Sequence, residues 1–243
     1  MTDHDHEACC VSRRSFLSAT SIATIGLLLG GCQTTSNKTS QAAAAVAPAA
    51  TPDQALQRLK DGNRRFVSGA PLHPNLGRER MMETAKGGQH PFATIISCSD
   101  SRVPVEAIFD QGVGDLFVIR VAGNVADTNE IGTSEYGSGH LGTPLLVVMG
   151  HTKCGAVTAV AKGEKVGGSL PKLVDNIVPA VKRAKASGLE GDALIAAAIR
   201  ENVHQSIHDL ERKSKEIKHL VHEGKLRLVG AIYDIETGEV SWI

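Results

Sequence analysis

Residues 91–102, PFATIISCSDSR, decide the fold class, because a short apolar run there ends directly in reactive side chains. The run has the length and the β-branched content of a buried strand, and Cys98 and Asp100 follow at its carboxyl end. Residues 144–155, PLLVVMGHTKCG, repeat the arrangement further along the chain. The carboxyl ends of parallel strands share one edge of a sheet, where open α/β folds bind ligands. We therefore expect both clusters to meet at that edge.

Apolar runs alternate with helical patterns along the rest of the chain. The sequence predicts strands at Pro91–Ser97, Asp115–Val121, Pro144–Gly150, Leu226–Asp234 and, as an edge hairpin, Val240–Ile243. It predicts helices from Thr51 to Gly69 and over Gly77–Lys86, Pro104–Phe109, Thr128–Leu141, Gly155–Ala161, Leu170–Ser187 and Asp192–His222. This alternation indicates an α/β fold with a mainly parallel central sheet, flanking helices and a C-terminal antiparallel edge strand. The first two helices have narrow apolar stripes, so we expect them to pack on a neighbouring subunit.

The composition excludes one class of partner. The chain carries 26 basic and 26 acidic residues among 243, and this neutrality argues against nucleic-acid binding, which needs a basic face. Residues 51–243 are long enough to form one domain with a sizeable core.

Four side chains at the predicted sheet edge form a metal-ligand set. Cys98, His151, Cys154 and Asp100 offer two thiolates, an imidazole and a carboxylate, which suits tetrahedral zinc. The alternative is a disulfide between Cys98 and Cys154. The N-terminus predicts export, and an exported protein with two cysteines in its folded part would ordinarily form a disulfide. We favour the metal site because a carboxylate and an imidazole accompany the thiols.

The two motifs carry a resemblance to a known family. Cys98-Ser-Asp-Ser-Arg102-Val-Pro and Gly150-His-Thr-Lys-Cys154-Gly-Ala-Val resemble the two signatures of the β-class carbonic anhydrases. The resemblance implies that Cys98, His151 and Cys154 bind zinc. It also implies that Asp100 either takes the fourth metal position or releases it to water by pairing with Arg102.

The same resemblance implies reversible hydration of CO2 to bicarbonate by a zinc-bound hydroxide, with Asp100 and Arg102 as catalytic residues. It implies substrate-site roles for Gln89 from the neighbouring subunit, Phe117, Tyr136, Gly155 and Ala122, which replaces a larger valine. It also implies a homodimer with exchanged N-terminal helices, or a tetramer.

Two other functions remain open. The first is hydrolysis of carbonyl sulfide or carbon disulfide on the same scaffold, which shares the zinc motifs. The second is a zinc-storing or structural lipoprotein, although a structural zinc site needs no pair such as Asp100 and Arg102 to vacate a ligand position. His204 and His208, four residues apart on a predicted helix, are interpreted as solvent-facing or packing residues because no acidic or thiol partner lies beside them in the sequence.

The N-terminus predicts export. Arg13-Arg14 and the apolar residues 16–31 resemble a twin-arginine signal, and the run is shorter than the roughly 20 apolar residues of a membrane span. The run ends in Leu29-Gly-Gly-Cys32, which resembles a lipobox with Cys32 as the lipidated residue. The prediction is an export signal over 1–32, a flexible tether over 33–50 and a lipid-anchored protein on the periplasmic side of a bacterial membrane.

Overall fold

The structure, a computed structural model, describes residues 51–243. The predicted export signal (1–32), the tether (33–50) and the lipidation site Cys32 lie outside the described residues and stay predictions. No helix within residues 51–243 combines the length and the apolarity that a membrane span requires.

A five-stranded sheet forms the centre of the described part of the chain. Its strands are β1 (Ala93–Ser97), β2 (Leu116–Arg120), β3 (Leu145–His151), β4 (Arg227–Tyr233) and β5 (Val240–Trp242). Their order is β2-β1-β3-β4-β5. The first four strands are parallel, and β5 pairs antiparallel with β4. The predicted fold class and the C-terminal edge hairpin are confirmed.

Helices cover both faces of the sheet. They are α1 (Pro52–Val67), α2 (Arg78–Gly87), α3 (Val105–Ile108), α4 (Thr128–Glu135), α5 (Gly155–Lys162), α6 (Leu170–Val174), α7 (Val178–Ala186), α8 (Gly191–Lys213) and α9 (Lys215–His222). A 3-10 turn at Ala122–Asn124 follows β2, and a π-helical turn at Tyr136–His140 follows α4.

Two predicted helices are interrupted, for local reasons. The helix predicted over Asp192–His222 breaks at Ser214, whose extended backbone ends α8. The Ser214 hydroxyl then caps α9 by accepting the N–H of Ile217 at 3.0 Å. The helix predicted over Leu170–Ser187 divides into α6 and α7, because Pro179 in the first turn of α7 has no N–H to continue a preceding helix.

The apolar stripe of the first helix packs within its own chain, and packing of this helix on a neighbouring subunit stays a prediction. A capping box of Thr51 and Gln54 begins α1. Ala55 and Leu59 are fully buried in the core of the same chain, and Gly62 lets the helix approach Phe109 closely.

The second helix shows the opposite behaviour. No residue of α2 is buried, and Met81 and Met82 are 56% and 63% exposed. Its packing on a neighbouring subunit therefore stays a prediction.

The long helix α8 lies unusually close to the sheet. A Cβ at Gly150 would come within 2.8 Å of Val203 Cγ2, and one at Gly230 within 3.0 Å of Val203 Cγ1. These two glycines of β3 and β4 therefore let the buried side chain of Val203 sit directly on the sheet. The close packing fixes the distance from α8 to the ends of the strands.

Candidate metal centre

Three potential ligands meet at the carboxyl edge of the sheet, as the sequence predicts. Cys98 follows β1, His151 is the last residue of β3, and Cys154 is the residue before α5. All three are buried, and one donor atom of each lies within 4.8 Å of the others.

The His151 ring fits a metal ligand. Its Nδ1 lies 2.9 Å from Thr152 O, and since a carbonyl oxygen only accepts, Nδ1 is the protonated nitrogen. Its Nε2 therefore carries a free lone pair, is fully buried and has no hydrogen-bond partner. A buried acceptor left without a partner costs free energy, and a bound cation removes that cost. In a metal-bound histidine, the ring nitrogen that does not bind the metal usually donates a hydrogen bond to an acceptor such as a backbone carbonyl, as Nδ1 does here.

The two thiols are free, which argues against the disulfide alternative. A hydrogen bond from Cys154 lowers the pKa of Cys98 to about 4, against the opposing effect of burial. The same hydrogen bond, together with burial, raises the pKa of Cys154. These contacts favour the thiolate form of Cys98, which is the form that binds a metal ion.

The Asp100 carboxylate lies beside the imidazole and is held by Arg102. Arg102 Nε donates to Oδ1 at 2.9 Å and Nη2 to Oδ2 at 2.7 Å, which is a bidentate pair. The backbone N–H of Arg102 donates to Oδ1 at 3.0 Å. These bonds hold the pKa of Asp100 well below its usual range, so the carboxylate stays ionised. Its Oδ2 lies 3.9 Å from His151 Nε2, beside the three ligands.

Hydrogen bonds from Arg120 and Gly123 hold the loop after β1 that carries Cys98. The sequence did not predict these bonds. Arg120 Nε donates to Cys98 O at 3.2 Å, and its Nη2 donates to Asp100 O at 2.7 Å. The N–H of Gly123 donates to Cys98 Sγ at 3.3 Å. The only sequence signal for Arg120 is its position at the end of β2, opposite Ser97 in the register.

The β4–β5 turn holds the loop that carries the other two ligands. The backbone N–H of Ile235 donates to the Thr152 hydroxyl at 3.1 Å, and Lys153 Nζ pairs with Glu236 at 2.5 Å. Lys153 has a φ of 57°, a left-handed conformation that is costly for a residue with a side chain. The turn therefore stabilises a strained backbone between His151 and Cys154.

Two of the predicted substrate-site residues lie beside the metal ligands. Gly155 follows Cys154 and opens α5, and Ala122 opens the 3-10 turn whose Gly123 contacts Cys98. Both positions border the Cys98–Cys154 pair within one chain.

The other three do not reach the ligands within one chain. Phe117 pairs with Thr94, four residues before Cys98, which is about 13 Å along a strand. Tyr136 packs on Phe117 with ring centroids 5.8 Å apart, and its side chain is 45% exposed. Gln89 is exposed between α2 and β1.

Comparison with known proteins shows what the chain resembles. The family described as "Carbonic anhydrase" matches residues 93–240. The carbonic anhydrase of Mycolicibacterium smegmatis is 38% identical over 198 residues, which are 80% of this chain and 94% of that protein. The solved structure of the β-carbonic anhydrase CcaA is 34% identical, with a TM-score of 0.61, and the match covers 77% of this chain and 91% of that one. A tetrameric β-carbonic anhydrase of Sordaria macrospora is 26% identical with a TM-score of 0.61, over 68% of this chain and 87% of that one.

Proposed function

The chain belongs to the β-class carbonic anhydrase family, and we propose that it catalyses the reversible hydration of CO2 to bicarbonate and a proton with one zinc ion per subunit. The observation that carries this proposal is the buried Cys98–His151–Cys154 set with an ionised carboxylate directly beside it. Zinc, when bound there, lowers the pKa of water from ~15.7 to ~7, so that hydroxide is available near neutral pH.

Asp100 orients the nucleophile. Because Arg102 keeps it ionised, the carboxylate only accepts hydrogen bonds, and it lies 3.9 Å from the imidazole nitrogen of the ligand set. It can accept the O–H of a nucleophile at that position and so direct an oxygen lone pair towards the carbon of CO2. Gly155 opens α5, and the N–H groups of a first helical turn have no partner within the helix. We assign its N–H to the charge that develops on a CO2 oxygen.

The arrangement favours catalysis over zinc storage. Structural zinc sites are closed by four protein ligands, whereas catalytic sites keep one position open. Three ligands come together in the described part of the chain, and the adjacent carboxylate is engaged by Arg102. Asp100 can leave Arg102 to occupy the fourth position, which would close the site. Hydrolysis of carbonyl sulfide would use the same three zinc ligands, so parallel assays with both substrates distinguish the two activities.

Asp100→Ala tests the assigned role. We expect CO2 hydration to fall by about 10²- to 10⁴-fold, the usual cost of losing a positioned acid–base group. Zinc content should stay near that of the wild type, because the three ligands remain. Stopped-flow hydration and metal analysis measure both quantities. Asp53→Ala is the matched control, since Asp53 forms an exposed pair with Arg227 at 2.6 Å. Retained hydration in Asp100→Ala would refute the role.

We propose that the protein is a homo-oligomer, with a dimer as the minimum. Gln89, Phe117 and Tyr136 lie away from the metal ligands of their own chain, so a second subunit is the arrangement in which they can line the pocket. Exposed apolar side chains around α2 support an interface, namely Leu72, Leu76, Met81 and Met82. The tetrameric assembly of the Sordaria macrospora relative is consistent with this proposal. Sedimentation equilibrium distinguishes monomer, dimer and tetramer.

We also propose that the chain is exported by the twin-arginine route and anchored through a lipid on Cys32, on the periplasmic side of a bacterial membrane. The support is the order Arg13-Arg14, apolar run and Leu29-Gly-Gly-Cys32 in the sequence. Folded export suits the enzyme, because metal loaded in the cytoplasm protects both thiolates from oxidation outside.

Cys32→Ser tests the anchor. We expect the precursor to remain unprocessed, because lipidation requires the cysteine thiol, and globomycin should have the same effect on the wild type. Gel mobility and labelling with a radioactive fatty acid measure the outcome. Unchanged size and unchanged membrane release in the variant would contradict the lipoprotein assignment.

A further inference from the structure

We propose that Asn202 is a positioning residue for the zinc thiolate of Cys98. It lies on α8, fully buried, and its Nδ2 donates to Gly123 O at 2.7 Å. The N–H of the same Gly123 donates to Cys98 Sγ at 3.3 Å. One buried amide thus fixes the residue that donates a hydrogen bond to a metal-ligand sulfur. The inference rests on the zinc site of the proposed function.

The turn that Asn202 holds has a left-handed backbone at two consecutive residues. Gly123 and Asn124 have φ values of 71° and 45°, so two consecutive residues adopt the left-handed conformation. For Asn124 this conformation carries a steric cost. Ser206, one helical turn after Asn202, donates to Asn124 O at 2.9 Å and is also buried. Two buried side chains of one helix therefore hold the two carbonyl groups of this left-handed turn.

The packing of α8 makes this contact rigid. The close approach of Val203 to Gly150 and Gly230 places the helix directly on β3 and β4. Gly123 is equally constrained on its other side, where a Cβ would lie 2.7 Å from Ile177 Cδ1. The turn that carries the Gly123 N–H is therefore closely packed on both sides.

The amide of Asn202 is satisfied on its donor side and not on its acceptor side. Its Oδ1 is buried without a hydrogen-bond partner, and so is Nδ2 of Asn124. Each such group costs about 1–3 kcal/mol. An apolar residue of similar size would avoid this cost at position 202, but it would leave the carbonyl oxygen of Gly123 without this donor. The donor of Asn202 is used for Gly123, and through that residue it fixes the N–H that faces Cys98 Sγ.

A hydrogen bond to a metal-bound thiolate withdraws charge from the sulfur. The metal then receives less charge from that ligand and polarises bound water more strongly. Outer-sphere partners of this kind typically change metal affinity or activity by about 10- to 100-fold. Asn202 would thus tune the metal through a backbone amide, although its own side chain does not contact Cys98.

The test compares full-length wild type with Asn202→Leu, which removes the donor at similar volume, and Asn202→Asp, which keeps the shape but exchanges donor for acceptor. Each protein is stripped of metal and loaded with Co2+ alone, and the sulfur-to-cobalt charge-transfer band is recorded. Competition with a chelator gives the zinc affinity. We expect the band to move to longer wavelength, because the sulfur donates more charge, and the zinc affinity to fall about tenfold or more.

Asn63→Leu is the matched control. Asn63 is also a buried asparagine that holds backbone, since its Nδ2 donates to Ile108 O at 3.2 Å and to Gly238 O at 2.9 Å. Its replacement should lower stability without moving the band or the zinc affinity.

If both Asn202 variants match Asn63→Leu in band and affinity, Asn202 is only structural and the inference is overturned. If Asn202→Leu does not fold, Asn202→Asp decides alone. A wild type without any sulfur-to-cobalt band would instead refute the proposed metal centre itself, so the two failures are distinguishable.

Discussion

Cys154→Ala is expected to abolish stoichiometric zinc binding and, with it, CO2 hydration. The variant removes one of two thiolates and leaves only Cys98 and His151 of the three clustered ligands. The loss should exceed the 10- to 100-fold that outer-sphere changes cost, because a ligand itself is removed. The fold should persist, because Cys154 makes no disulfide and its replacement is small. Metal analysis, stopped-flow hydration and circular dichroism measure the three quantities.

The control for this variant is Ser68→Ala, which makes an equally small replacement of an exposed side chain at the end of α1. It should leave zinc content and hydration unchanged. A Cys154→Ala protein that still holds one zinc ion per chain and hydrates CO2 at the wild-type rate would remove Cys154 from the metal site.

Gly62→Ala is expected to destabilise the protein by about 2 kcal/mol or more. A Cβ at this position would lie 1.8 Å from Phe109 O and 2.6 Å from Phe109 C, and backbone atoms cannot move aside as a flexible side chain can. Alanine favours a helix by up to about 1 kcal/mol over glycine, but overpacking of this kind costs about 1–3 kcal/mol and sometimes more. The clash should dominate because α1 would have to leave the core. Urea unfolding measures the change.

Gly132→Ala in α4 is its matched control. Gly132 also lies inside a helix, but a Cβ there meets nothing within 4 Å. The control should be neutral or slightly stabilising, as helix propensity predicts. Equal stability of the two variants would show that α1 does not pack on Phe109 as the structure has it.

The strands and the metal ligands could be predicted from the sequence, because both depend on local sequence patterns. Apolar runs of strand length mark β1 and β3, and Cys98, His151 and Cys154 follow them at the edge where parallel strands end. Since each ligand lies within a few residues of a strand end, its place in space follows from its place in the chain.

Features that depend on contacts between distant residues were not predictable in this way. The placement of α1 depends on its approach to Phe109, far away in the sequence. Arg120 and Gly123 donate hydrogen bonds to Cys98, and Asn202 on α8 donates a hydrogen bond to Gly123. The hydrophobic periodicity of a helix does not reveal such a contact. A buried asparagine is a polar residue, so the pattern assigns it to the solvent-facing side. The register that separates Phe117 from the metal ligands is likewise a property of the assembled sheet.

Hydration of CO2 by the purified protein, measured by stopped flow against its zinc content, tests the central claim most directly. The account predicts one zinc ion per chain, a rate proportional to zinc, loss of the rate on chelation and recovery when zinc alone is returned. A protein that holds stoichiometric zinc without hydrating CO2, or one whose rate is the same with and without zinc, would contradict it.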